Sequence, residues 1–102
     1  MLGGVAGVPN AKVVVLGAGV VGQNATHIAI GLGADVAVLD TDLDKLRQLH
    51  WRYETKVRPL LSSAMSVERE VLDADLVINT QQTSIDEAVE QLIGLLRERN
   101  RL

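Results

Sequence analysis

Three glycines, Gly17, Gly19 and Gly22, constrain the fold of this chain more than any other feature of its sequence. They have the spacing G-x-G-x-x-G, they follow the Val-rich run Lys12–Leu16, and a segment with helical periodicity comes after them. In such a turn the first glycine permits the tight bend, the second lets a ligand approach the backbone, and the third lets the helix pack on the strand. The backbone N–H groups at the start of the helix can then bind phosphate. The sequence therefore predicts a dinucleotide-type phosphate turn.

A second phosphate motif overlaps the first. Gly17 and Gly22 also fit the start of the mononucleotide pattern G-x-x-x-x-G-K-[ST], in which Lys binds the β- and γ-phosphates and Ser or Thr binds magnesium. Gln23 and Asn24 occupy those two positions, so the mononucleotide interpretation fails. A further alternative stays open, in which the glycines serve only the packing of helix on strand and the turn holds no ligand.

Strand and helix patterns alternate four times along the chain. Short apolar runs predict strands, and apolar residues at helical spacing after Ser or Asp caps predict helices. The predicted strands are Lys12–Leu16, Asp35–Leu39, Lys56–Leu61 and a strand centred on Leu76–Ile78; the predicted helices are Val20–Leu32, one capped by Asp42, one capped by Ser66, and one opened by the capping box of Ser84 and Glu87. We expect an α/β fold, a minimal doubly wound Rossmann-like parallel sheet of four strands in order 3-2-1-4. Helices should lie on both faces, the first two on one face and the last two on the other.

Asp40 stands where the second strand ends, and it follows Gly22 by 18 residues. This is close to the roughly 20 residues that separate a dinucleotide turn from the carboxylate that binds the adenosine ribose. A 2′-phosphate beside Asp40 would meet like charge, so the sequence favours NAD over NADP. The alternative is that Asp40 only ends a strand or caps the next helix.

The composition excludes several classes of partner and site. The 102 residues carry a net charge of -3 and no basic block, which argues against nucleic acid and anionic membranes as partners. No cysteine is present, and His27 and His50 have no neighbours in sequence that would complete a metal site, so no metal is expected. The N-terminal stretch predicts neither a signal peptide nor an anchor, and a natural protein of this kind would be cytoplasmic.

A resemblance to a known family rests on two stretches, LGGVAGVPNAKVVVLGAGVVGQNATHIAIGLGADVAVLDTDLDKLRQL and VRPLLSSAMSVEREVLDADLVI. They resemble the NAD-binding domain of alanine dehydrogenase, whose family includes the NAD-binding subunit of proton-translocating transhydrogenase. The resemblance covers about residues 2–78, and VLDTDLDKLRQL is its most specific part. It implies that Val20 and Val21 contact pyrophosphate through their backbone, that Asp40 holds the ribose, that Lys45 lies beside the ribose, and that Ser62 lies at the adenine side.

The tail, residues 79–102, departs from what that resemblance implies. NTQQTSIDEAVEQLIGLLRERNRL stands where the family has a hydrophobic loop and further elements around nicotinamide, and it loosely resembles the last strand and helix of small P-loop kinases such as shikimate kinase. This mismatch predicts an engineered chimera or minimal domain, with residues 1–102 forming a single Rossmann-like domain.

The observations predict a dinucleotide-binding module that holds the ADP part of NAD and is not an enzyme. NAD binding is expected to be weak or absent. The alternative is a purely structural engineered protein with an empty glycine turn. An oxidoreductase ranks last, because the sequence offers no pair of residues to move protons beside nicotinamide. The apolar fourth strand, at the sheet edge, also predicts a homodimer or an exchange of the last helix between chains.

Overall fold

The computed structural model describes residues 2–3 and 10–99. Within these residues, strands and helices alternate along the chain as the sequence predicted, with one short 3-10 turn, Glu54–Lys56, before the third strand. The strands are β1 (Lys12–Leu16), β2 (Asp35–Asp40), β3 (Val57–Leu61) and β4 (Leu76–Asn79); the α-helices are α1 (Val20–Gly31), α2 (Leu43–Tyr53), α3 (Ala64–Val71) and α4 (Ile85–Arg99).

The four strands form one parallel sheet in the order β3-β2-β1-β4, which confirms the predicted α/β class and strand order. The central strand β1 pairs with β2 from Lys12 to Leu16 and with β4 from Val13 to Leu16. Its three valines, Val13, Val14 and Val15, are fully buried, because helices cover both faces of a sheet of this type. The Val-rich run was therefore a reliable indication of a central strand.

The distribution of helices over the two faces differs from the prediction. The main apolar cluster joins Ala25 and Ala29 of α1 to Ala88 and Leu92 of α4 and also contains Leu49 of α2, so α1, α2 and α4 lie on one face. The second cluster places Val14, Ala37 and Leu39 of the sheet against Val67 and Val71, so α3 covers the other face. We expected α4 beside α3; the small alanines of α1 instead leave room for α4 to pack on α1.

The start of α3 also differs from the prediction, which placed the cap at Ser66. Ser63 is the N-cap, and its hydroxyl accepts a hydrogen bond from the Ser66 N–H at 3.1 Å. The Ser66 hydroxyl in turn accepts a hydrogen bond from the Ser63 N–H at 2.8 Å. Ser66 is therefore the third residue of the helix, in the place that Glu or Gln usually takes in a capping box.

A charged network closes the amino end of the sheet on the α3 face. Glu70 of α3 is buried, and its carboxylate lies 3.0 Å from the Arg58 guanidinium and 3.4 Å from Lys12 Nζ. Burial alone raises the pKa of Glu70, but Arg58 and Lys12 more than offset it and hold the pKa below its ordinary value. Lys12 also binds Asp73 at 2.5 Å. These ion pairs stand at the opposite end of the strands from the glycine turn.

The strand β4 forms an edge of the sheet as far as the described residues show. It pairs with β1 alone among them, and Val77 on its α3 side keeps 37% of its surface exposed.

No described helix combines the length and the apolar character that crossing a bilayer requires.

Candidate dinucleotide-binding site

The carboxyl ends of all four strands meet at one pocket of about 420 Å³. Because parallel strands end at the same edge of the sheet, the loops that follow them lie side by side. Of the predicted site residues, five line this pocket: Gly17, Gly19, Asp40, Lys45 and Ser62. The other three, Val20, Val21 and Gly22, belong to the first turn of α1 and lie outside the set of residues that line it.

The conformation of the turn after β1 is fixed by contacts with β2 and with Thr80. Gly17 has φ of 106°, a region that L side chains rarely adopt, and its N–H donates to the Leu39 carbonyl at 2.7 Å. A Cβ on Gly17 would overlap the Thr80 hydroxyl, and a Cβ on Gly22 would overlap the Gly17 carbonyl. Neither position has space for a larger residue, so the two outer glycines are required by the turn itself.

Gly19, between them, has a different environment. A Cβ built on it would meet no atom within 4 Å, and its φ of -77° is open to any residue. Gly19 is the N-cap of α1 and provides no side-chain oxygen to the first N–H groups of the helix. The helix therefore begins at an open surface of the pocket, with its positive end toward that space.

Asp40 ties the glycine turn to the end of β2. One carboxylate oxygen accepts a hydrogen bond from the Ala18 N–H and the other from the Asp42 N–H, both at 2.7 Å. Partial burial raises the pKa of Asp40, but these two bonds and the charge of Lys45 outweigh burial and hold the pKa below its ordinary value. Asp40 is thus ionised at neutral pH, and each oxygen keeps a lone pair for another donor.

Ser62 and Lys45 complete the side of the pocket near Asp40. The Ser62 N–H donates to the Asp40 carbonyl at 2.9 Å, which continues the pairing of β2 and β3 by one residue. Lys45 lies one turn into α2, whose N-cap Asp42 accepts hydrogen bonds from the Asp44 and Lys45 N–H groups. The α2 cap therefore fixes where the Lys45 side chain leaves the helix.

Gln23 and Asn24 use their side-chain amides locally. The Gln23 amide donates to the Ala18 carbonyl at 3.1 Å, and the Asn24 amide donates to the Val20 carbonyl at 2.8 Å. Both donors are therefore engaged with the backbone of the turn and of α1. This agrees with the failure of the mononucleotide pattern, which requires Lys and Ser or Thr at these positions.

Seven residues of the pocket were missed by the sequence analysis. Four are Leu16, Leu39, Thr41 and Val67, and the other three, Asn79, Thr80 and Gln81, form one segment at the end of β4. Asn79 pairs with Leu16 at the ends of β4 and β1, and its side chain accepts a hydrogen bond from the Gln81 N–H at 3.1 Å. The strand order predicted from the sequence already placed this segment beside the glycine turn. That order was the signal that could have found these residues.

The histidines lie elsewhere. His27 lines a separate cavity of about 390 Å³ between α1 and α2, where its Nδ1 lies 2.9 Å from the Tyr53 hydroxyl. His50 is exposed on α2. Over residues 2–3 and 10–99, no group of three or more side chains could hold a metal ion.

Comparison with known proteins agrees with the geometry. The family model described as alanine dehydrogenase/PNT, C-terminal domain matches residues 1–93. Alanine dehydrogenase of Mycobacterium tuberculosis is 51% identical over 78 residues, and that of Bacillus subtilis is 44% identical over 78 residues. Each alignment covers 76% of this chain and 21% of the relative. A solved L-alanine dehydrogenase superposes with a TM-score of 0.71 at 43% identity, over 74% of this chain and 21% of that one.

These findings correct two expectations. The prediction that the protein is not an enzyme is wrong, because its relatives are named as dehydrogenases. The chain spans about a fifth of the length of those relatives. The predicted engineered chimera and its P-loop kinase tail find no support, since the family model continues past Asn79 to residue 93. The resemblance itself is confirmed: the chain belongs to the alanine dehydrogenase/PNT C-terminal domain family.

Proposed function

We propose that this chain binds the ADP half of NAD at the pocket, as the cofactor-binding part of an alanine dehydrogenase-type oxidoreductase. The observation that carries this proposal is the Asp40 carboxylate, which is fixed by the Ala18 and Asp42 N–H groups at the edge of a pocket whose other side is the open Gly19 turn. A ribose between them would leave its phosphates at the start of α1.

The phosphates would be held by backbone and not by basic side chains. The N-terminus of the twelve-residue helix α1 carries a partial positive charge, and the N–H groups of Val20 and Val21 lie in its first turn. Gly19 leaves the approach to them open, while Gly17 and Gly22 hold the turn in shape. In this proposal Gly19 would admit the ligand, while Gly17 and Gly22 would serve the turn alone.

The ribose would be held by Asp40, with Lys45 beside it and Ser62 at the adenine side. The ionised carboxylate keeps a free lone pair on each oxygen, which suits the two ribose hydroxyl donors of NAD. The 2′-phosphate of NADP would place a second negative charge next to Asp40, at a cost of about 1 kcal/mol or more near a surface. We therefore propose NAD as the cofactor and not NADP.

The catalytic activity belongs to this proposal at the level of the whole protein. NAD would be the hydride acceptor, and this chain would hold the cofactor in position. Because the chain spans about a fifth of its relatives, residues outside it would supply the substrate side. That residues 1–102 form a single domain also remains a proposal, and the cytoplasmic location remains a prediction.

Titration of the chain with NAD and with ADP-ribose tests this function. We expect weak affinity, because the pocket residues account for the ADP half of the cofactor only, and we expect ADP-ribose to bind within a few-fold of NAD. Calorimetry gives the two affinities, and amide NMR shifts at Gly17, Gly19 and Val20 locate the ligand. An absence of response at millimolar ligand, or shifts confined to the cavity at His27, would contradict the proposal.

A further inference from the structure

Thr80 makes an unusual set of contacts at the base of the glycine turn. Its N–H donates to the Leu16 carbonyl at 3.1 Å, and its hydroxyl donates to the same carbonyl at 2.7 Å. Leu16 is the last residue of β1 and is joined directly to Gly17. One residue after β4 therefore binds the last carbonyl before the turn with both of its donors.

The same side chain also fills the space under two glycines of the turn. A Cβ on Gly17 would overlap the Thr80 hydroxyl oxygen, and a Cβ on Gly22 would lie 3.5 Å from the Thr80 methyl group. The hydroxyl and the methyl group thus contact the turn at two different points. A turn held in this way has little freedom to move its peptide planes.

The segment that carries Thr80 is itself fixed. The Asn79 side chain accepts from the Gln81 N–H at 3.1 Å, and the Asn79 carbonyl accepts from the Gln82 N–H at 3.0 Å. These bonds fold residues 79–82 into a turn that begins at the end of β4. Thr80 is consequently held against β1 by the sheet on one side and by this turn on the other.

We infer that Thr80 is a positioning residue for the phosphate turn. It acts through the Leu16 carbonyl and Gly17, and not through contact with the reacting atoms of the cofactor. Its hydroxyl proton is engaged with Leu16, so Thr80 has no donor left for a ligand. Its effect on a dinucleotide comes from keeping the N–H groups of the turn in their binding orientation. For its ligand readout this inference rests on the proposed binding of NAD.

Thr80→Val tests the inference, because it keeps the shape of the side chain and removes the hydroxyl donor. Thr80→Ser restores the donor and lacks the methyl group. Thr26→Val is the matched control: the Thr26 hydroxyl is buried and donates to the Gly22 carbonyl at 2.7 Å, but it lies inside α1 and not under the turn. Calorimetry with NAD gives the affinity of each variant, and thermal melting gives its stability.

We expect Thr80→Val to weaken NAD binding about tenfold, Thr80→Ser to restore most of the affinity, and Thr26→Val to lower the melting temperature with unchanged affinity. An affinity unchanged in a folded Thr80→Val, an equal loss in Thr26→Val, or no recovery in Thr80→Ser would overturn the inference. If Thr80→Val is unfolded, Thr80→Ala against Thr80→Ser gives the same comparison.

Amide hydrogen exchange keeps the inference testable without any ligand. In the free protein, Thr80→Val should speed exchange of the Gly17 N–H about fivefold relative to Thr26→Val, because Gly17 loses the support beneath it. Equal exchange in both variants would overturn the positioning role. Failure of the unaltered chain to bind NAD while this exchange difference is found would count against the proposed function alone.

Discussion

Asp40 accepts a hydrogen bond from the Ala18 N–H at 2.7 Å, across the 22 residues that separate them in sequence. This bond joins the end of β2 to the middle of the G-x-G-x-x-G turn. The acid that the sequence motif assigns to the ribose therefore also supports the turn that would bind the phosphates. Loss of its charge should affect both parts of the site.

Asp40→Asn should weaken NAD binding at least tenfold and narrow the preference for NAD over NADP. The amide keeps one acceptor oxygen, so one of the two backbone N–H donors loses its partner and the repulsion of the 2′-phosphate disappears. Calorimetry with both cofactors measures the two affinities. Asp44→Asn, an exposed carboxylate on α2, is the control and should leave them unchanged. Equal affinity of the unaltered chain for NAD and NADP would rule out this role of Asp40.

The outer and central glycines of the turn should respond differently to alanine. Gly17→Ala should destabilise the fold by about 2 kcal/mol or more, because its φ is positive and its Cβ would overlap Thr80. Gly19→Ala has open space and should cost about 1 kcal/mol or less, as a poorer N-cap, yet weaken NAD binding by blocking the approach to α1.

Chemical denaturation and NAD titration separate these two effects. Gly94→Ala is the matched control, since Gly94 lies in open space on α4 and away from the pocket, and this variant should raise stability without changing affinity. A Gly19→Ala protein that binds NAD as tightly as the unaltered chain would show that the cofactor does not approach there.

Glu70 should make stability fall in acid. Its pKa is lowered in the folded state, so its ion pairs contribute fully above the unfolded value of about 4.3 and lose their contribution as pH falls through the lower folded value. Glu70→Gln should cost about 1–2 kcal/mol at neutral pH and flatten this acid dependence. Urea unfolding at a series of pH values measures it, with the exposed Glu68→Gln as control. A Glu70→Gln curve parallel to that of the unaltered chain would contradict the assignment.

The edge strand β4 should support self-association. Its outer side pairs with no other described strand, and Val77 remains partly exposed, so two sheets can join edge to edge. Sedimentation over a wide concentration range should show a dimer that Val77→Lys removes and that Trp51→Lys, an exposed residue on α2, leaves intact. A dimer that survives Val77→Lys would indicate exchange of α4 instead, and a monomer at all concentrations would remove both interpretations.

Much of this fold could be predicted because turn and cap residues mark the ends of its strands and helices clearly. The glycines after β1, the acid after β2 and the cap of Ser84 with Glu87 each have a local physical cause, and the structure keeps them. The cap of α3 was misplaced because Ser63 and Ser66 are both good caps. Only their mutual hydrogen bonds, which form after the backbone is placed, decide between them.

The position of α4 and the role of Thr80 were beyond local reasoning. Apolar spacing shows which side of α4 is buried, but the face of the sheet that it covers depends on the small residues of α1. Thr80 carries no charge and belongs to no motif, so its residue type gave no signal. Its contacts arise because the sheet order brings the end of β4 against the end of β1.

The two faces of the sheet are covered unequally by helices, and this difference has a consequence for local motion. The α3 face is closed by a helix of eight residues, whereas α1, α2 and α4 share the main apolar cluster on the other face. Local opening should therefore begin at α3, where the least apolar surface must be exposed. Since Val67 of α3 and Ser62 before it line the pocket, a dinucleotide bound there would hold this helix closed and protect the weakest face of the sheet.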